Sequence, residues 1–248
     1  FVDLDYIVLN GDTHDGSTAT KSIAMSNIKE AISTLSDANC PYFVSWGNHC
    51  NNSWGDNRTN SINKTVKNYL PKAPMTSLHG KMRQVIDNNE MHEIATKPST
   101  IFNIVENKDD KLGYFYYDVP NKKHRVIVLN SQDVPTIIDG DGYAKYVSIE
   151  VSGYRQRQIT WFEQVLRSTP SDVTVSIYQH YPFGRRYKQD MEYLPYNFEM
   201  IDGLIEAFVT GGSFLKQYNA NEDFKASISC NFFGIKGKLA FLAHGHTH

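Results

Sequence analysis

The sequence predicts an α/β fold: a four-layer sandwich in which two mixed β-sheets lie face to face with helices outside. Three observations predict it. The chain opens as strand–helix–strand, its centre reads as a β-hairpin, and further apolar strands return toward its end between helical segments. With 248 residues, 40% of them hydrophobic, the chain can bury a full core, so residues 1–248 read as one domain.

The elements follow in order. "LDYIVLNGD" (4–12) is an apolar strand ending in Gly-Asp. "TKSIAMSNIKEAISTL" (20–35) places Ile23, Ile28, Ala31, Ile32 and Leu35 at helical spacing. "PYFVSWGNH" (41–49) is a second strand, ending in a glycine-containing turn. A β-α-β start of this kind implies parallel strands joined by a right-handed crossover. Residues 50–98 are polar and irregular, with helical patches near 61–69 and 82–93, and read as an insertion on the loop side. "KLGYFYYDV" (111–119) and "HRVIVLNS" (124–131), joined by "PNKK", make the hairpin. "SGYRQRQITWFEQVLRST" (152–169) is an amphipathic helix with Ile159, Phe162, Val165 and Leu166 on one face. "VTVSIYQH" (173–180) is a strand, and "NFEMIDGLIEAFVTG" (197–211) is a helix stopped by Gly211 and Gly212. The last strand is 237–243, and residues 213–236 receive no element of their own.

Composition narrows the function. A formal charge of −2 gives no general basic field for nucleic acid. No apolar run approaches the length of a membrane span. The chain opens on Phe1 and both ends read as trimmed, so the lack of a targeting segment carries no information. Cys40, Cys50 and Cys230 form no CxxC pair and are too few for a disulfide framework, which leaves a Cys40–Cys50 bridge as an open alternative. Acceptor-type triplets at Asn51, Asn57 and Asn63 read as by-products of an asparagine-rich stretch rather than as marks of glycosylation.

Four strands each end in a polar cluster: "GDTHDG", "GNHC", "QHYP" and "HGHTH". Open α/β sheets bind ligands beyond the carboxyl ends of their strands. On an extended segment His246 and His248 point to the same side, about 6.5 Å apart, which suits a split metal pair or one chelated ion. The clusters supply oxygen and imidazole groups and no thiolate set, chemistry suited to Mn²⁺, Fe²⁺ or Zn²⁺.

Taken in order, these clusters resemble the calcineurin-like metallophosphoesterase superfamily, whose motifs run D-x-H, G-D-x-x-D-G, G-N-H-[DE], a lone His and G-H-x-H. Here the matching residues are Gly11-Asp12-Thr13-His14-Asp15-Gly16, then Gly47-Asn48-His49, then His180, then Gly245-His246-Thr247-His248. The hairpin "GYFYYDV…HRVIVLNS" and the helix "QITWFEQVL" extend the likeness over nearly the whole chain. The resemblance implies the metallophosphatase αββα sandwich and a centre of two divalent ions. Asp12 would bridge the ions, Asn48, His180 and His246 would complete one of them, and His248 would bind the other. The ions would hold the phosphate of a mono- or diester and acidify a bridging water for in-line attack. His49 would protonate the leaving alkoxide or stabilise phosphoryl charge. Asp15 would act behind the ligands, orienting one of them.

Three departures from the family pattern stand out. No D-x-H precedes the second motif, so within 1–248 the second ion has only Asp12 and His248. Cys50 stands where the family has the acid that helps position the catalytic histidine. The chain stops at His248, where family members continue. Together these imply a fragment of a larger chain.

"VLNSQDVP" (128–135) and "IDGLIEAFVTGGSF" (201–214) look like versions of the superfamily attached to phage and prophage tail proteins of Gram-positive bacteria. That likeness implies a virion or extracellular enzyme, with other tail proteins as partners and a cell-surface polymer such as teichoic acid as substrate. The alternatives are a secreted or cytoplasmic phosphatase, and a structural or receptor-binding tail module that keeps the fold with a degenerate site. His14 could touch substrate or serve as a turn residue. Arg185 and Arg186 in "GRRYK" could grip an anionic substrate through their forks or form a solvated basic loop. His244 reads as packed or second to a ligand. His79, His92 and His124 read as ordinary surface or loop residues, and "YFYY" (114–117) as sheet packing.

Overall fold

The computed structural model describes residues 3–16, 18, 20–53, 85–137, 145–148, 151–184 and 194–246. The chain is a mixed α/β protein. It begins with strand β1 (Ile7–Leu9), helix α1 (Lys21–Ser36) and strand β2 (Tyr42–Val44). The two strands pair in parallel, with Ile7 opposite Tyr42. Thr20 caps α1 by accepting the Ile23 amide at 3.2 Å. The helix then buries Ala24, Ile28 and Ile32, one residue per turn on one face.

A short helix α2 (Asn88–Met91) follows, opened by an Asp87–Glu90 capping box, and it runs through a π turn (His92–Thr96) into a 3₁₀ segment (Lys97–Phe102). Of the two helical patches expected in 50–98, this is the one the structure describes, and 61–69 lies outside the described residues. His92, expected at the surface or in a loop, is instead buried in the π turn, 2.7 Å from the Glu106 carboxylate. Burial of a polar ring is tolerated there because that partner satisfies it.

The larger sheet holds β3 (Val105–Glu106), β4 (Phe115–Asp118), β5 (His124–Val128), β6 (Thr174–Gln179) and β9 (Lys238–His244), in the order β3-β4-β5-β6-β9. β3, β4 and β5 are antiparallel neighbours, and β5, β6 and β9 run parallel. The expected hairpin is therefore β4–β5. Helix α3 (Gln156–Ser168) and helix α4 (Phe198–Thr210) are the two amphipathic helices read from the sequence. Gly211 ends α4 with φ +70, a conformation that glycine adopts without a Cβ clash. One hairpin was not foreseen: β7 (Ser213–Tyr218) and β8 (Ala226–Asn231), antiparallel to each other.

Packing divides by strand face. Tyr42 and Val44 point toward α1 and join a cluster with Ala24, Ile28, Ile32 and Trp46. Phe43 between them points the opposite way, against Phe115, Tyr117, Val126 and Val128 of β4 and β5. Its complete burial stabilises the fold by about 1.5–3 kcal/mol on transfer grounds. Ile127, Val175 and Ile177 lie on the far face of the larger sheet, with Ile159, Phe162 and Leu166 of α3 and Leu204 and Phe208 of α4. The aromatic run 114–117 is thus packing, as expected. All three cysteines are free thiols, so no Cys40–Cys50 bridge forms. Among the described residues no helix is long and apolar enough to cross a membrane.

Candidate metal centre

Asp12 lies three residues beyond β1, Asn48 four beyond β2, His180 directly after β6 and His246 two beyond β9. These are the carboxyl ends of parallel strands in two different sheets. Their side chains meet. His180 Nε2 is 2.8 Å from Asn48 Oδ1, 3.2 Å from His246 Nδ1 and 3.1 Å from Asp12 Oδ2. His246 Nδ1 is 3.1 Å from Asn48 Oδ1. Asp12, His180 and His246 form a group that could hold a metal ion. Asn48 and His180 are buried, while Asp12 and His246 are partly open.

Tight backbone makes the meeting possible. Asp12 and His246 both have positive φ, +50 and +69, which non-glycine residues adopt at a cost of about 1–3 kcal/mol. A Cβ on Gly47 would stand 2.2 Å from Asp12 Oδ1, so only hydrogen fits there. Gly245 sits in an equally close approach, to the Asn10 carbonyl. A bulge between Val175 and Ser176 shifts the register of β9, so that Gln179 pairs with His244 and the Gly245 amide reaches the His180 carbonyl at 3.0 Å. Without the extra residue, His246 would slide by about 3.3 Å along the strand.

Hydrogen bonds fix the protons. His180 Nδ1 is 2.7 Å from the Asn10 carbonyl, which can only accept, so Nδ1 carries a proton. In the neutral ring Nε2 then presents a lone pair to a carboxylate oxygen, an amide oxygen and an imidazole nitrogen. A proton at Nε2 can serve one of these acceptors at a time, whereas a cation serves all of them. The buried Asn10 Oδ1 has no hydrogen-bond partner among the described residues. Burial would raise the Asp12 carboxyl, but a His180 ring that also carries a proton on Nε2, together with the His49 amide, outweighs it and holds the group below the usual carboxylate value.

His49 lies at the edge of this group. Its Nδ1 is 2.5 Å from the Asp15 carbonyl and its Nε2 is 4.0 Å from Asp12 Oδ2. Asp15 therefore meets His49 through its main chain. His14 braces two loops: it accepts the Gly16 amide at Nδ1 and donates from Nε2 to the Cys50 carbonyl at 3.1 Å. Burial lowers the His14 pKa, which keeps that neutral tautomer. The Cys50 thiol accepts the Gly47 amide at 3.3 Å and lies 3.9 Å from Thr13 Oγ1. Burial, then the Asp12 charge, push the thiol pKa up, so it stays protonated. His248, Arg185 and Arg186 lie outside the described residues. The His244 ring hydrogen-bonds the Gly245 carbonyl.

Sequence reading missed two supports. Tyr181 stacks on His246 with ring centroids 4.2 Å apart and planes at 25°, and its position directly after His180 was the available signal. Ser148 reaches the Asn48 carbonyl from a loop 100 residues away, and nothing in the sequence signals it. No protein-family model matches the chain, and a search of curated proteins finds none similar to it.

Proposed function

We propose that the chain is a metal-dependent phosphoesterase of the calcineurin-like superfamily. Asp12, Asn48, His180 and His246 would hold one divalent ion, and Asp12 with His248 would contribute to a second. The carrying observation is that the Asp12 carboxylate, the Asn48 amide oxygen and His246 Nδ1 all lie within 3.2 Å of His180 Nε2. Four of their separations lie at 2.8–3.2 Å, which suits neighbouring ligands of an octahedral ion with bonds of about 2.1 Å, for which the expected edge is about 3.0 Å. The donor set suits Mn²⁺, Fe²⁺ or Zn²⁺. The packing supports the finer fold reading as well: α1, the β1–β2 sheet, the five-stranded sheet, then α3 and α4, the layers of an αββα sandwich.

Bound ions would supply Lewis-acid polarisation of the phosphoryl group and acidify water. The protein's own contribution is positional. The Asn10 carbonyl fixes the His180 tautomer, and the His49 amide holds Asp12 Oδ1. The Asp15 carbonyl holds His49 Nδ1–H, which leaves Nε2 to carry the proton that meets a leaving-group oxygen. The expected substrates are phosphate mono- or diesters. A cell-surface phosphodiester polymer at a virion is the setting that the likeness to phage tail proteins adds.

The test is metal analysis of the purified protein, paired with nitrophenyl phosphate and bis-nitrophenyl phosphate hydrolysis before and after chelation. Bound divalent metal with chelator-sensitive hydrolysis is expected. No bound metal and no metal-dependent hydrolysis would overturn the proposal, whereas metal binding without hydrolysis of any ester would favour the structural tail module.

A further inference from the structure

Asn48 is held from behind by a segment that no motif includes. Ser148 is buried, and its hydroxyl stands 2.5 Å from the Asn48 carbonyl and 2.7 Å from Asn51 Oδ1. The Ser148 amide donates to Ser53 Oγ at 2.9 Å, and the two hydroxyls are 2.6 Å apart. The proton assignments follow from these partners. The Asn48 carbonyl and Asn51 Oδ1 can only accept, so they share the single Ser148 proton, and the Ser53 proton goes to Ser148 Oγ. The result is a closed network of two hydroxyls locking the turn from which Asn48 reaches His180.

The other end of the segment is tied to a different element. Lys145 pairs with the Asp223 carboxylate, and Tyr146 donates to the same carboxylate at 2.6 Å. The Tyr146 ring packs edge-on against Phe224, 5.4 Å between centroids. Asp223 and Phe224 belong to the connection between β7 and β8. Residues 145–148 thus bridge that hairpin to the loop after β2.

We propose that Ser148 is a positioning residue for Asn48, and that residues 145–148 act as a strap transmitting the placement of the β7–β8 hairpin to the metal centre. The inference rests on the reading of Asn48 as a ligand. Residues that hold a ligand from behind typically change metal affinity by about 10–100-fold when removed. A side chain that merely fills space would lower the melting temperature of the metal-free protein and leave affinity per folded molecule unchanged.

The experiment titrates Mn²⁺ alone by calorimetry into the wild type, Ser148→Ala, Ser148→Thr and Asp223→Ala. Unfolding of each metal-free protein is measured alongside, to correct for the folded fraction. Ser148→Ala is expected to weaken binding by about tenfold. Ser148→Thr, which keeps the hydroxyl, should recover most of the loss. Asp223→Ala, which frees the other anchor, should weaken binding by less than the tenfold of Ser148→Ala. With wild-type binding intact, unchanged affinity in Ser148→Ala would overturn the positioning role and unchanged affinity in Asp223→Ala would overturn the strap, each leaving the metal centre standing. If Ser148→Ala does not fold, unchanged affinity in Asp223→Ala overturns the strap alone. A wild type that binds no Mn²⁺ overturns the reading of the site and the strap with it.

Discussion

Replacing Gly47 with alanine would put a methyl group into space that Asp12 already occupies. The added Cβ would stand 2.2 Å from Asp12 Oδ1 and 2.4 Å from the Asp12 backbone nitrogen, against an ordinary contact of 3.4 Å or more. The carboxylate can rotate away, but the nitrogen is main chain and must move by about 1 Å (3.4 less 2.4) for the contact to become ordinary. Asp12 is held by the His49 amide on one oxygen and by His180 on the other, so the displacement is felt at both. Overpacking of this kind costs about 1–3 kcal/mol of stability. A misplacement of about 1 Å at a reacting centre costs on the order of 10²-fold in rate. Metal affinity should fall with it, by about 10–100-fold. The control is Gly234→Ala, where an added Cβ meets nothing within 4 Å and φ is +80. That variant should lose about 1–2 kcal/mol from backbone strain and keep its metal affinity. Calorimetric titration with Mn²⁺, corrected for the folded fraction from a denaturant melt, separates the two effects. A Gly47→Ala protein that folds and binds metal like the wild type would refute the claim that Asp12 is placed by this contact.

Three further outcomes are expected. His180→Ala removes both the Nδ1 bond to Asn10 and the buried nitrogen facing Asp12, Asn48 and His246; calorimetry should find Mn²⁺ binding lost, and retained affinity would exclude His180 as a ligand. His49→Ala should keep metal and lose about 10²–10⁴-fold in turnover, with a smaller loss for nitrophenyl esters, whose leaving group needs little protonation, than for alkyl esters. Equal losses for both esters would assign His49 to charge stabilisation instead. Burial, with the nearby Asp12 charge, pushes the Tyr181 phenol up to about 12, above its ordinary value of 10.0. Its contribution to stability is therefore fully present below pH 10 and is lost as pH rises toward 12. That contribution is at most about 2–3 kcal/mol, and Tyr181→Phe, which keeps the stack on His246, should flatten the fall in denaturation midpoint over this window. An unchanged alkaline slope would show that other groups govern it.

Local rules fixed much of this protein. Helix α1 follows from apolar residues at helical spacing, of which Ile28 and Ile32 are buried as read while Ile23 is exposed and Ala24 takes its place, and the β4–β5 hairpin follows from two apolar runs around a short polar turn. The donor types and their order were also legible. Asp12, Asn48, His180 and His246 each follow an apolar strand, and strand ends are where α/β sheets place ligands.

Other features depended on contacts between distant parts of the chain. The β7 strand escaped reading because Lys216 interrupts its inward-facing alternation of Phe214 and Tyr218, and that lysine pairs with Glu199 on α4. The residues around Cys50 left the orientation of His49 open, and the fold meets its Nδ1 with the Asp15 main-chain carbonyl, a group every residue carries and no sequence distinguishes. The one-residue bulge in β9 sets where His246 falls relative to His180, yet "GKLAFLAHGH" reads equally well in either register. Ser148 is one serine among many until the chain folds back and sets it against Asn48. The sequence by itself determined which groups could bind a metal, because that is a property of side-chain chemistry and local periodicity. Only the tertiary structure decided which side-chain nitrogens and oxygens face each other and what holds them there, because separations of about 3 Å between residues 66 to 198 apart in the chain depend on register and packing that no local stretch encodes.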